Sequence, residues 1–395
     1  MDLIRLVDRL AAEKNGRVAF AGERCLHVAD RFQECENCRA VCPADAFTGE
    51  KIPDFVPEKC VQCLACLPVC PAGALVAKDE VPDLLRFVRH LSSQRIELVC
   101  RHNPDVGRGT PGVEAAISVR GCLAGLGLGA LLLLAAEGVS AVVLRNDACA
   151  DCQWSGLGKQ VAKQVAQAQL FLGIWHQEDV VSLSGPAGET WWERPVYSAG
   201  SPPVSRRDLF RLRKPTPVNE GDNDIADGNQ PFRERLRLVR ACQKLGPPAA
   251  NKTGDRLPGL GFATVSFVSP TCNACGACAR ACPTGAIKLD IDDHAYALTF
   301  DSRACVGCAV CAHVCPLSIV DLNHEPPFES IFGEPDPVVL QSGPVARCRR
   351  CRARFPAGGG EDYCAVCRFR LRHPFGAARP EDMVTRKETH PGWGS

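Results

Sequence analysis

The chain has 395 residues, 25 of them cysteine, and its 46 Lys and Arg against 45 Asp and Glu leave a formal charge of +1. Near-neutrality removes any whole-chain electrostatic case for nucleic acid or an anionic membrane. Hydrophobic content of 46% and charged content of 23% are those of a globular chain, and the length corresponds to about two to four domains. The first residues, Met1 to Gly16, are charged and amphipathic and lack the apolar core and cleavage site of a secretory signal. The longest apolar run, Cys122 to Ala136, is broken by glycines and too short to cross a bilayer, so no transmembrane segment is expected. The expected compartment is the cytoplasm, with attachment to the periphery of a membrane complex left open. Disulfides are rare there, and thiols at this density read as metal ligands.

In chain order, the expected parts are an N-terminal helix (1–24), a first cysteine-rich module (25–92) and a small α/β domain (95–183). Within the last, a strand ends at Cys100 and a second spans Ala115–Val119. An apolar helix covers 123–137, a third strand 140–144 and a second helix 158–172. Strand, helix, strand, helix in this order predicts a parallel sheet. Residues 184–265 read as a linker with one helix, whose face of Phe232, Leu236, Val239, Cys242 and Leu245 makes Cys242 a core residue. A second cysteine-rich module follows (266–330), then a knuckle pair (340–372) and a tail (373–395). The expected fold class is multi-domain, α+β in the cysteine modules and α/β in the centre.

The internal repeat carries the chemistry. Cys60–Pro71, Cys272–Pro283 and Cys305–Pro316 each read C-x2-C-x2-C-x3-C-P, and Cys35–Pro43 is a shortened copy with Phe32 where the first cysteine would stand. Three thiolates two residues apart can wrap an iron-sulfur cube, while the fourth is carried onward to a neighbouring cluster. The spacing resembles the bacterial 2x4Fe-4S ferredoxin family over residues 25–77 and 268–325. The resemblance implies crossed ligation. Cys42, Cys60, Cys63 and Cys66 would hold one cluster; Cys272, Cys275, Cys278 and Cys315 a second; and Cys282, Cys305, Cys308 and Cys311 a third. A fourth would have Cys35, Cys38 and Cys70. There Cys25 is the expected fourth ligand, with a three-iron cluster or a non-cysteine ligand as the alternatives. Zinc sites are the competing reading of all sixteen positions, and the near-unbroken spacing and the prolines argue against it.

Cys100, Cys122, Cys149 and Cys152 all follow strand ends, and in an open α/β sheet those carboxyl ends share the edge where ligands bind. This arrangement, with Asp-Ala-Cys-Ala-Asp-Cys after the last strand, resembles the delta subunit of the methyl-viologen-reducing hydrogenase family over residues 95–180. That resemblance implies a 2Fe-2S cluster and heterodisulfide-reductase-like partners. The last pair is closer-spaced than the family usually shows, and buried structural cysteines are the alternative. Gly125-Leu-Gly127-Leu-Gly129-Ala130, with Asp147 beyond it, formally fits a dinucleotide fingerprint. Close packing of a helix on the sheet explains the same glycines.

Cys348-x2-Cys351 and Cys364-x2-Cys367 have four-thiolate spacing and resemble a zinc ribbon, decorated by arginines at 347, 349, 350, 352, 354, 368, 370 and 372. Such a surface reads phosphates, docks an acidic partner or is simply a solvated face, and without an aromatic stacking series a protein partner is favoured over nucleic acid. Ser205-Arg-Arg-Asp-Leu-Phe-Arg211 resembles a twin-arginine export motif but sits mid-chain with no apolar segment after it. His313, inside a cysteine run, is expected to pack beside a cluster. No catalytic residues are assigned. The expected function is electron transfer between iron-sulfur clusters, as a subunit of a hydrogenase, formate dehydrogenase or heterodisulfide-reductase-like complex. The alternatives are a stand-alone flavin- or NAD(P)-linked enzyme and an iron-sulfur and zinc sensor that binds nucleic acid.

Overall fold

The computed structural model describes residues 17–91, 93–184, 192–199, 232–248, 261–269, 272–332, 337–357 and 361–373. The expected N-terminal helix up to Gly16, the Ser205–Arg211 motif, most of the expected linker and the tail after His373 lie outside the described residues. Among the described residues no helix is long and apolar enough to cross a membrane.

The first cysteine module is closed by a two-residue antiparallel pair, Ala19–Phe20 with Leu75–Val76. The module thus begins before Cys25, inside residues expected as helix. Two short helices carry cysteines into it, α1 (Asn37–Val41) and α2 (Cys66–Val69). A longer helix leaves it, α3 (Val81–His90), with Pro82 in the first turn, where a missing amide is harmless. Its buried residues Val81, Leu84, Leu85 and Val88 recur at helical spacing and turn one face to the core.

The α/β unit is a five-stranded parallel sheet. Its strands are β1 (Arg95–Cys100), β2 (Ala115–Val119), β3 (Ala141–Arg145), β4 (Val181–Leu183) and β5 (Val196–Ser198), in the spatial order β5-β2-β1-β3-β4. Helices α4 (Leu128–Ala135) and α5 (Gly156–Leu172) make the crossovers to β3 and β4. The central strands are almost wholly apolar because both faces are covered, and Ile96, Leu98, Ile117, Val142 and Leu144 are sealed from solvent. The sheet is wider than the sequence predicts. Its edge strand β5 lies in residues expected as linker, and Trp192–Glu193 pairs with Arg108–Gly109 in the same region.

Helix α6 (Arg233–Leu245) joins the parts. The predicted face was the apolar one, but the fully covered residues are Arg233, Arg237, Leu238, Ala241 and Cys242. Cys242 does sit in the main core. Arg237 reaches Asp79, just past the first module, through a two-pronged pair at 2.9 and 2.8 Å, and also reaches Glu234 at 2.8 Å. Arg233 donates to the Ala77 carbonyl at 2.7 Å and pairs with Asp79 at 3.4 Å. At the other end of the helix, Glu137 accepts from Arg89 and Lys244, tying α3, α4 and α6 together.

The second module contains β6 (Thr264–Phe267), α7 (Ala277–Ala281), β7 (Ile287–Ile291), β8 (Ala295–Phe300), α8 (Val310–His313) and β9 (Val320–Asn323). β6 pairs with β9. β7 and β8 continue into β10 (Val338–Arg347) and β11 (Arg354–Pro356), giving a four-stranded antiparallel sheet. The C-terminal knuckle pair therefore grows out of the second module rather than standing as a separate domain. Phe328 and Phe332 meet Trp175, Phe171 and Phe262 edge to face at centroid distances of 5.2 to 6.1 Å, which holds this module on the α/β unit.

Removing the Asp79 carboxylate takes from the buried Arg233 and Arg237 guanidinium groups the charge they share. Asp79→Ala is expected to cost about 3–5 kcal/mol in thermal or denaturant unfolding. Burial alone would raise the Asp79 pKa, but the charge and hydrogen bonds of Arg237, with Arg233, hold it below its ordinary value. Its stabilisation is therefore full above the usual carboxylate pKa of about 3.9 and fades as pH falls through the lower folded value. Unfolding midpoints of wild type and Asp79→Asn should converge as pH drops through that window; a gap that stays constant would exclude this coupling.

Candidate metal centres

The repeat in the cysteine spacing is also a repeat in backbone conformation. Within each complete run, the residues two and four positions after the first cysteine have positive φ. These are Gln62 and Leu64, Ala274 and Gly276, and Gly307 and Ala309. The double reversal folds the loop so that successive cysteines turn inward, and the third cysteine enters a helix: α2, α7 or α8. Three residues past the last cysteine of every run, the shortened one included, φ is positive again, at Asp45, Gly73, Gly285 and Ser318. The shortened run lacks the first pair of reversals.

Spatially the thiols fall into groups. In the first module Cys60, Cys63 and Cys66 face Cys42, and burial first, then these neighbouring thiols, pushes Cys66 well above its ordinary pKa. Cys38 lies among Cys70, Cys35 and Cys25, and burial with those neighbours pushes it up to about 12. The structure thus brings Cys25 beside Cys35, Cys38 and Cys70, at the place where Phe32 leaves the run without its first cysteine; the Phe32 side chain is exposed. His27 is buried beside this group, with Nε2 at 2.9 Å from the Cys35 carbonyl and no partner for Nδ1. In the second module Cys272 faces Cys275 and Cys315, with Cys278 alongside, while Cys305, Cys308 and Cys311 face Cys282. These groups are called set 1 (Cys25, Cys35, Cys38, Cys70), set 2 (Cys42, Cys60, Cys63, Cys66), set 3 (Cys272, Cys275, Cys278, Cys315) and set 4 (Cys282, Cys305, Cys308, Cys311).

Backbone amides point at several of these sulfurs. Ala46 donates to Cys42 at 3.4 Å, Ala74 to Cys70 at 3.3 Å, Ala274 to Cys272 at 3.4 Å and Gly307 to Cys305 at 3.5 Å. Arg235 stacks on Phe262, 3.6 Å from the ring centroid, and its charge bears on Cys305. Burial draws Arg235 down to about 10, so it stays cationic at neutral pH. Neither Arg235 nor Arg233 is recognisable from the sequence, since an arginine on a predicted helix reads as a solvated face until its partners, far off in sequence, are known.

The central thiols stand at the carboxyl edge of the sheet. Cys100 ends β1, Cys122 follows β2, and Cys149 and Cys152 follow β3. Cys149 lies near Cys100 and Cys152, and Cys122 near Cys100 and Cys149; burial, then these neighbours, pushes Cys122 up to about 12 and Cys149 to about 11. His102 donates its amide to Cys100 Sγ at 3.4 Å and Ala124 donates to Cys122 Sγ at 3.5 Å. The glycine run beside them is a packing seam. A methyl group at Gly125 would meet Leu64 at 3.0 Å, at Gly127 would overlap Pro68 and Glu234, and at Gly129 would lie 2.5 Å from the Glu234 carbonyl. Asp147 is held by Arg145 at 3.0 Å and Asn103 at 3.0 Å. These glycines therefore serve close packing, and Asp147 is engaged within the fold, although an open cavity of about 650 Å³ borders Gly127 and Gly129 together with Lys159, Lys163 and Arg233.

At the C-terminus Cys348 and Cys351 lie in the β10–β11 hairpin, and Cys364 and Cys367 at the start of helix α9 (Ala365–Arg372). Their four sulfurs lie within 4.8 Å of one another, with Cys351 and Cys364 at 3.7 Å. A tetrahedral ion with bonds of about 2.3 Å places sulfurs about 3.8 Å apart. Amides aimed at Cys348, that of Cys351 above all, lower its thiol to about 6. Among the described residues no other group of three ligating side chains converges so closely. Arg347 and Arg354 pair with Asp293, Arg349 with Asp362 and Arg368 with Glu361, so half of the arginine array is matched by the protein's own acids.

A family model of a 4Fe-4S dicluster domain matches residues 271–319, and one of a 4Fe-4S binding domain matches residues 53–76. No curated protein matches the chain. The chain therefore carries two ferredoxin-type 4Fe-4S domains, and iron-sulfur electron transfer is the role they indicate.

Because Gly129 is crowded by the backbone of α6, Gly129→Val is expected to destabilise the fold by about 1–3 kcal/mol, read as a lower thermal midpoint. A variant as stable as wild type would show that the seam is loose enough to admit a ligand.

Proposed function

We propose that the chain is an electron-transfer subunit of a larger redox complex, holding four 4Fe-4S clusters, one 2Fe-2S cluster and one zinc ion. The observation that carries the reading is the grouping of the thiols into sets of four, three of them built on a backbone loop that repeats residue for residue. Sets 1 to 4 would each hold a 4Fe-4S cluster and Cys100, Cys122, Cys149 and Cys152 the 2Fe-2S cluster. The wider spread of these thiols suits a cluster, which is larger than one ion, while Cys348, Cys351, Cys364 and Cys367 converge as one zinc ion requires.

Bound clusters of this kind supply one-electron acceptors whose potentials answer to hydrogen bonding, charge and solvent exposure. The chain's own residues act on those factors. The amides of Ala46, Ala74, Ala274 and Gly307 donate to ligand sulfurs and favour the more negative, reduced state. Arg235 does the same by charge. Apolar packing around Cys66, Cys278, Cys305 and Cys311 keeps water away. We assign no catalytic role to the residues around these sets, and in this reading chemistry beyond electron transfer belongs to partner subunits. The strand-end placement of the central quartet favours a hydrogenase, formate dehydrogenase or heterodisulfide-reductase-like assembly, in the cytoplasm or on the periphery of a membrane complex. The packing of Pro68 and Glu234 on Gly127 and Gly129 weighs against a nicotinamide or flavin held by the glycine run, and the self-paired arginines weigh against nucleic acid.

Metal analysis of anaerobically purified protein tests the reading. The expected content is about eighteen irons (four per cube and two centrally) and one zinc per chain. About sixteen irons would remove the central cluster. Cys25→Ser is expected to turn set 1 into a three-iron centre with its own EPR signal, and an unchanged spectrum would exclude Cys25 as a ligand. Arg235→Gln is expected to lower the midpoint potential of one cluster in the second module, read by EPR-monitored redox titration; an unmoved potential would remove Arg235 from that role.

A further inference from the structure

The two ferredoxin-type modules are separated by the whole α/β unit in sequence, yet they touch. The Gln33 amide donates to the Cys308 carbonyl at 2.8 Å, and His313 Nδ1 lies 2.6 Å from the Asp30 carboxylate. Asp30 is buried and also accepts from the Phe32 amide at 3.0 Å, so its carboxylate is fixed in direction. Asp30 and Gln33 both belong to the stretch between Cys25 and Cys35, where the repeat departs from its pattern. A regular run has two residues between its first cysteines; here nine intervene, and they are the residues that reach the second module. The departure has a use: it forms a docking loop between set 1 and set 4.

A second junction lies on the other side of the first module. The Leu64 side chain and the Cys63 carbonyl pack on Gly121 and Gly125, and Cys63 bears electrostatically on Cys122. Cys63, Cys100 and Cys122 also border one continuous core. Within each module the sets adjoin through shared helices: Cys66 and Cys70 flank α2, and Cys311 bears on Cys278.

We infer that Asp30, Gln33 and His313 are positioning residues that join the two modules at sets 1 and 4, so that all five cluster sites stand in one series: central, set 2, set 1, set 4, set 3. The inference rests on the ligand assignment proposed above. It makes the central quartet and set 3, whose Cys275 is exposed, the two ends through which electrons enter and leave.

The test uses the full chain, anaerobically reconstituted, reduced with dithionite and read by EPR and iron analysis. Wild type is expected to show spin–spin splitting between a cluster of each module. Cys38→Ala, which breaks set 1, should abolish that splitting, whereas Cys275→Ala, which breaks set 3, should leave it in place. The double variant Asp30→Ala/Gln33→Ala has every thiol intact; it should keep wild-type iron and show a narrower splitting. Full iron with no inter-module splitting in wild type, or splitting that survives Cys38→Ala, would overturn the series. An unchanged splitting in the double variant would overturn the positioning role. Wild-type iron well below about sixteen atoms would instead overturn the ligand assignment itself, a distinguishable failure.

Discussion

The buried pair between Arg237 and Asp79 joins residues 158 positions apart, and the rest of the assembly depends on it. Two guanidinium groups and a carboxylate cannot leave water without close mutual satisfaction, because desolvation of each ion costs several kcal/mol. Here Arg237 is wholly covered, with both prongs on Asp79 and a third contact to Glu234. Such a pair stabilises little relative to a well-packed apolar alternative, yet it is severe on any arrangement that separates the partners. It thereby fixes where α6 crosses α4 and the exit of the first module, and every other junction follows from that crossing.

The glycines at the entry to α4, Gly125, Gly127 and Gly129, are the complementary half of that constraint. Only a surface without Cβ atoms lets α6 approach until the Glu234 carbonyl sits over Gly129 and the Cys63–Leu64 turn sits over Gly125. Close approach brings Cys63 of set 2 to Cys122 of the sheet edge. It also directs Arg233 toward the first module and Arg235 toward Phe262 and the second. One helix with two arginines of opposite destination thus holds both cysteine modules against the same α/β unit. The aromatic cluster of Phe171, Trp175, Phe262, Phe328 and Phe332 continues the clamp from Arg235 onto the α/β unit.

What the sequence made legible was local. Cysteine spacing, the proline after each run and strand ends followed by thiols are all set by neighbours a few residues away, and the loop reversals at Gln62 and Leu64 are the backbone form of that spacing. The α/β strands β1 to β3 were readable for the same reason, as apolar runs with turns between. Edge strand β5 was not, because a three-residue strand has no pattern of its own and is defined by its pairing with β2. Nor was the buried face of α6: the apolar face is the rational choice for an isolated helix, and only Asp79 and Ala77, contributed from far upstream, make Arg233 and Arg237 the covered residues. β10 looked like the start of a separate ribbon until its pairing with β8 made it part of the second module.

The two places where local rules failed most plainly share a cause. Gly125 to Ala130 satisfies a phosphate-binding spacing, and Phe32 breaks a cluster-binding one; each anomaly lies on a surface where two parts of the chain meet. A glycine spacing is consistent with any close approach, whether by a pyrophosphate or by another helix, and the two are separated only by what fills the space. At Gly127 that is Glu234 and Pro68. A missing cysteine, equally, is consistent with a lost site or with a ligand brought from elsewhere, and the intervening residues decide which. Between Cys25 and Cys35 those residues include a buried aspartate facing His313 and a glutamine on the Cys308 carbonyl, contacts that a regular two-residue spacer could not reach. The irregular run and the glycine run are thus both docking features. Each gives up a local motif for contact between parts of the fold that carry thiols.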